Sequence, residues 1–301
     1  MPEAVPLARR AFLARTGVLG AALGGGGLLA RSVFPSADAA ADAATNPLLP
    51  PAVDLIRPVL AALARDTLNG LTVFVLPGPD QYSRTQGTPS RTAGALEAGG
   101  TDFIIHALDN FVPFPDALAQ PIGAALVTGL ADTGFAVPGL EVLPAELRGI
   151  DQAFAAFLQS DEALPLSFPI AGLLNLMATQ VNPLAVSGAH LSPFARLTYA
   201  EKAKTFELIE KTDSDLVALL DVHFPEPLKA SVSGLLKFVG GALLEFASFG
   251  AWSEFAVLDP KTKQLRKRPV GWDLAGYQPD GPVEGWDDFI GYYQGRKEVH
   301  D

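Results

Sequence analysis

Four histidines (His106, His190, His223 and His300) are the residues best suited by type to acid–base work, and no two share a metal-ligand spacing. His106 has a carboxylate three residues on, Asp109, and on a helix that interval brings the two side chains together. The pair could relay a proton. The competing and preferred reading is a histidine satisfied inside the fold. His223, ahead of Phe-Pro-Glu-Pro, fits a contact with a helix dipole, and His300 lies in the tail. Ser83, in Asp80-Gln81-Tyr82-Ser83, is a nucleophile by type alone; nothing orients a base toward it, and a turn explains it. No G-x-S-x-G, H-E-x-x-H, Walker A or dinucleotide G-x-G-x-x-G follows residue 39. No catalytic, cofactor-binding or metal-ligating residue is assigned.

Composition removes further classes. The 301 residues include no cysteine, which excludes disulfide scaffolds, thiolate metal sites, cysteine nucleophiles and covalent haem attachment. With 22 Lys+Arg against 33 Asp+Glu, the net charge of −11 argues against nucleic acid or an anionic membrane as main partner. Asp273, Asp280, Glu284, Asp287 and Asp288 make an acidic run without EF-hand spacing, so a solvated surface is preferred to calcium. Lys261, Lys263, Arg266, Lys267 and Arg268 form a basic island in this acidic chain. It reads equally as a docking site for an acidic group and as a solvated loop. All three tryptophans (Trp252, Trp272, Trp286) fall in one stretch with Tyr277, Phe289, Tyr292 and Tyr293. Such residues suit an interface, because they bury a large area with few rotors. The preferred reading, which is compatible with the first, is a segment that wraps back on its own core.

The first 39 residues read as an address. Arg9-Arg10 with Phe12 and Leu13, a weakly apolar glycine-rich middle, and Ala37-Asp38-Ala39 give the layout of a cleaved twin-arginine signal. The middle is too short to span a bilayer, so no stable membrane span is expected after cleavage. Export by this route, to the periplasm, cell envelope or exterior, carries proteins already folded. Either an inserted cofactor or an accompanying partner would explain its use.

The elements that must position these residues are helical. Residues 40–52 read as an Ala/Pro-rich tether and 53–301 as one domain, with a sub-boundary near 190. Val53–Leu68 shows a helical stripe (Leu55, Ile56, Val59, Leu60, Leu63), with Asn69-Gly70 as its stop. Leu71–Leu76, rich in β-branched residues, predicts a short strand, and 81–100 a polar loop. Further helices are predicted from about 101 to 111, 120–130, 147–158 and 170–179, then from the capping box Thr198-Tyr-Ala-Glu201, and from Asp213 or Ser214 through Leu220. Leu228–Phe249 is apolar nearly all round, which predicts a central buried helix. The fold class is mostly α and loop-rich, with at most a minor β element and an irregular aromatic C-terminal tail.

Phe249-Gly-Ala-Trp-Ser-Glu254, followed by Val270-Gly-Trp-Asp-Leu-Ala-Gly-Tyr277, resembles the ending of the gluconate 2-dehydrogenase subunit 3 family. The likeness covers roughly residues 194–293. Asn69 to Ser83 resembles a segment of other exported bacterial proteins. Departures are Ala251 in place of an aromatic residue, the basic loop 259–268, and the added Gly285-Trp286 to Tyr293. The resemblance implies a small helical accessory subunit, exported folded and lacking a cofactor of its own. Its partner would be a flavin-containing dehydrogenase of the glucose–methanol–choline (GMC) type, which holds the FAD, with a cytochrome as a further partner. The expected interface is Trp252, Lys263, Arg266, Arg268, Trp272, Tyr277, Trp286, Phe289, Tyr292 and Tyr293. Two other readings stand beside it: an exported binder of an apolar small molecule, and an exported enzyme whose site carries no familiar motif.

Overall fold

The computed structural model describes residues 49–112, 116–160, 162–210, 232–259, 261–262 and 264–277. The signal residues Arg9, Arg10, Phe12, Leu13, Ala37 and Ala39 lie outside them, as do the helix predicted from 213, His223, His300, Lys263, Trp286, Phe289, Tyr292 and Tyr293. The described residues are mostly helical, as the periodicity predicts. Ten α-helices are described: α1 Leu49–Val75, α2 Gln81–Thr85, α3 Ala95–Ala98, α4 Gly100–Asn110, α5 Asp116–Asp132, α6 Ile150–Leu158, α7 Ser167–Val181, α8 Tyr199–Glu210, α9 Val232–Trp252 and α10 Val270–Ala275. Among these residues the β structure is one antiparallel bridge, Leu258 with Leu265. No described helix is long and apolar enough to cross a membrane.

The strand expected at 71–76 is helix. α1 runs on through Asn69-Gly70 to Val75, and Leu71, Thr72 and Val73 are fully buried. Burial of these side chains outweighs the modest helix penalty of β-branched residues. Gly70 serves packing and does not end the helix. A Cβ there would sit 2.9 Å from the Cα of Ala195, so only glycine lets the 3₁₀ turn Phe194–Arg196 cross α1 this closely. The loop expected at 81–100 contains α2 and α3 and folds back tightly. Ser90 N–H donates to Gly78 O (3.0 Å) and Ala95 N–H to Leu76 O (2.9 Å).

α1 is the axis of the fold, touching α2, α3, α4, α6, α7 and α9. The all-round buried helix is α7, in which every residue from Ser167 to Thr179 is buried. α9, expected to hold that place, is two-faced from Phe238 on. Gly240, Leu243, Ala247, Gly250 and Ala251 turn inward at helical spacing, while Phe238 and Phe249 are exposed. Its apolarity is split between a core stripe and an outer face, which composition alone does not resolve.

The capping box forms as read: Glu201 N–H reaches Thr198 Oγ1 at 3.4 Å, and Thr198 N–H donates to Glu201 Oε2 at 2.9 Å. A small apolar void of about 10 Å³ lies between Leu60, Leu63, Val127, Phe154 and Phe168. That is roughly the space of one water, so the packing there admits no organic ligand.

Candidate functional site

The residues that could do chemistry occupy two places: a buried polar seam beside α1 and an exposed corner where α9 meets α10. The seam begins with Asp66, buried on α1. Its Oδ1 accepts from the Tyr82 hydroxyl (2.7 Å) and its Oδ2 from Ser192 N–H (2.8 Å). Asn69, one turn on, donates from Nδ2 to the same tyrosine oxygen at 3.1 Å. The His190 ring stacks on Tyr82 with centroids 4.2 Å apart and shares a hydrogen bond with Thr85 Oγ1 (2.9 Å). Arg196 ties the loop down by donating to the carbonyls of Ala185, His190 and Leu191.

Lys202 is the deepest member. It lies on α8 at the inner stripe with Thr205, Phe206 and Ile209, and none of its surface reaches solvent. Its Nζ donates to Gly70 O (2.9 Å) and Gln86 Oε1 (2.8 Å) and lies 5.5 Å from the Phe194 ring centre. Gln86 in turn donates to Val73 O at 2.8 Å.

Burial governs how these groups titrate. It pulls Lys202 down to about 7, against the opposing pull of Asp80 and Asp66, neither of which touches it. Burial, then the hydrogen bond to Asp66, pushes Tyr82 up to about 12. Burial also lowers His190 and Arg196. Perturbed groups often mark active sites, but structural networks perturb them as well. Here no buried side-chain polar atom among the described residues lacks a partner. The seam's donors and acceptors are spent on holding α1, α2, the 190s loop and α8 together.

The sequence candidates for chemistry come apart. His106 is exposed, and its Nδ1 meets Asn110 Nδ2 on its own helix at 3.0 Å. It is satisfied, though on the surface and not in the interior. Asp109 points elsewhere: its two oxygens accept from Ser167 N–H (2.8 Å) and Ser167 Oγ (3.1 Å), capping α7. Ser83, expected in a turn, is buried in the first turn of α2, accepting from Gly78 N–H (2.9 Å) and donating to Asp80 Oδ2 (2.7 Å). Among the described residues no three His, Asp or Glu side chains cluster as metal ligands.

The second place gathers the described part of the expected interface. Gly271 lies directly on the Trp252 backbone; a Cβ there would stand 2.5 Å from Trp252 Cα. Gly250 similarly admits the Phe103 ring, 2.7 Å from where its Cβ would be. These close approaches fix α9 against α10 and α4. On the outer side, Phe249 stacks on Phe255 (5.1 Å), and Trp252 is 43% and Phe255 51% exposed. The Trp272 ring, half-buried, packs edge-on to Tyr277 (5.2 Å) with the Arg268 guanidinium over it at 5.6 Å. Arg268 Nε donates to Asp273 Oδ1 at 2.6 Å and Nη2 to Tyr277 O. Arg266 donates to Val257 O and Ala256 O, and Lys267 to Glu97 O. In the loop, Lys261 N–H and Thr262 N–H both donate to the Asp259 carboxylate and hold its pKa below the usual carboxylate range. Arg266, Arg268, Trp252, Trp272 and Tyr277 therefore share one corner.

Comparison of the chain with protein-family models, curated proteins and solved structures finds no match.

Proposed function

We propose that this chain is a non-catalytic accessory subunit, exported folded by the twin-arginine route, that binds and helps mature a flavin-dependent dehydrogenase of the GMC type. In this reading the FAD belongs to the partner, and a cytochrome is a further partner. The observation that carries the reading is the corner of α9 and α10. Aromatic rings stay exposed there although close glycine contacts pack α9 against α4 and α10, an arrangement that costs a monomer solubility and suits an interface. The saturated hydrogen bonding of the seam supports it, since Asp66, Tyr82, His190 and Lys202 are committed to structure. The resemblance of 249–254 and 270–277 to gluconate 2-dehydrogenase subunit 3 supplies the partner class.

Deleting the gene in the native host tests it. The expected result is loss of an exported flavin-dependent dehydrogenase activity, with its flavoprotein retained in the cytoplasm. Full activity and normal export of every such enzyme in the deletion strain would overturn the proposal.

A further inference from the structure

The basic island and the exposed rings are joined by the backbone. Arg266 N–H donates to Val257 O at 2.9 Å, which sets the island beside the Phe249–Phe255 step. Within the island the charges differ in availability. Arg268 is committed to Asp273 and holds Trp272 and Tyr277 in place. Arg266 and Lys267 donate only to carbonyls and have no carboxylate at ion-pair distance among the described residues. Asp259 interacts with Arg266 from beyond ion-pair distance, and its carboxylate accepts from two backbone N–H groups. Two cations without an ion-pair partner among the described residues, set beside exposed rings, stand out in a chain of net charge −11.

We infer that this corner binds an acidic polypeptide segment bearing aromatic residues, its carboxylates meeting Arg266 and Lys267 and its rings meeting Phe249, Trp252 and Phe255. That the flavoprotein supplies the segment rests on the accessory-subunit reading; the chemistry of recognition does not. Charge would set encounter and register, and the rings would set residence. Trp252 offers the largest exposed ring, and Arg266, whose Nε and Nη2 reach the Val257 and Ala256 carbonyls, keeps Nη1 for a carboxylate.

The test needs no partner in hand. The purified full chain is titrated with a random glutamate–tyrosine copolymer, with poly-glutamate and poly-lysine beside it, at low and high salt. Binding of the copolymer is expected to exceed that of poly-glutamate, with none to poly-lysine, and to weaken as salt rises. Arg266→Glu with Lys267→Glu should weaken it roughly tenfold, and Lys204→Glu, at an exposed position of α8, should not. Trp252→Ala should bring the copolymer down to the level of poly-glutamate. All the altered side chains are exposed, and circular dichroism checks that each variant is folded. Equal binding by the double charge reversal and the wild type would overturn the inference. So would binding that appears only after residues 278–301 are removed, which would assign the corner to the chain's own tail. Failure here leaves the deletion phenotype untouched, so the two proposals fail separately.

Discussion

Lys202→Met tests the buried seam through the slope of stability against pH. In the folded chain burial holds this amine near 7, whereas an unfolded lysine titrates near 10.4. Between those values the unfolded chain holds the proton and the folded chain does not, so raising the pH favours folding. The contribution is smallest below pH 7 and complete above about 10.4, with a slope approaching ~1.4 kcal/mol per pH unit in between. Over the full interval it amounts to about 4–5 kcal/mol. Methionine fits the same space, cannot titrate, and leaves Gln86 Oε1 without its donor, a loss of about 1–3 kcal/mol that does not vary with pH. Urea unfolding from pH 7.5 to 9.5 is the assay. That window lies above the lowered titration of His190 and below that of Tyr82 at about 12. The wild type should gain stability steadily across it, and Lys202→Met should be flat. A flat wild type, or an equal slope in the variant, would refute the assignment of a neutral buried amine.

Other expectations follow from single contacts. Gly271→Ala drives a Cβ against the Trp252 backbone and should cost about 1–3 kcal/mol in urea unfolding; Gly276→Ala meets no neighbouring atom and pays only for its left-handed backbone, so it should cost less. Asp109→Ala removes the cap of α7 and should destabilise by ~1 kcal/mol, while His106→Ala should stay within about 0.5 kcal/mol of wild type. Comparable losses from both would contradict this division of roles. Tyr82→Phe strips Asp66 Oδ1 of its hydroxyl partner and should cost about 1–3 kcal/mol, read by thermal unfolding at neutral pH.

Most of the helical framework was legible because its apolar spacing is regular. α4, α6 and α7 follow the pattern, and the Thr198 box announces α8. What failed to read were positions where long-range packing decides. Asn69-Gly70 has the chemistry of a stop, but Gly70 is there for Ala195, 125 positions away in sequence. Leu71–Val75 has strand propensity, overruled by burial. The seam went unseen because Asp66, Tyr82, Gln86, His190 and Lys202 are scattered along the chain. A signal was present: Lys202 precedes Phe206 and Ile209 by four and seven residues, which puts a lysine on an inner helical face. The clustering of Trp252, Trp272 and Tyr277 was visible as composition, and the glycine contacts that pin them were not.

The most direct measurement of the central claim is an affinity isolation of the tagged chain from its native host, read by protein bands and by absorption spectrum. The account predicts a yellow eluate with a flavoprotein band in fixed ratio to this chain. A colourless eluate with a single band would contradict it.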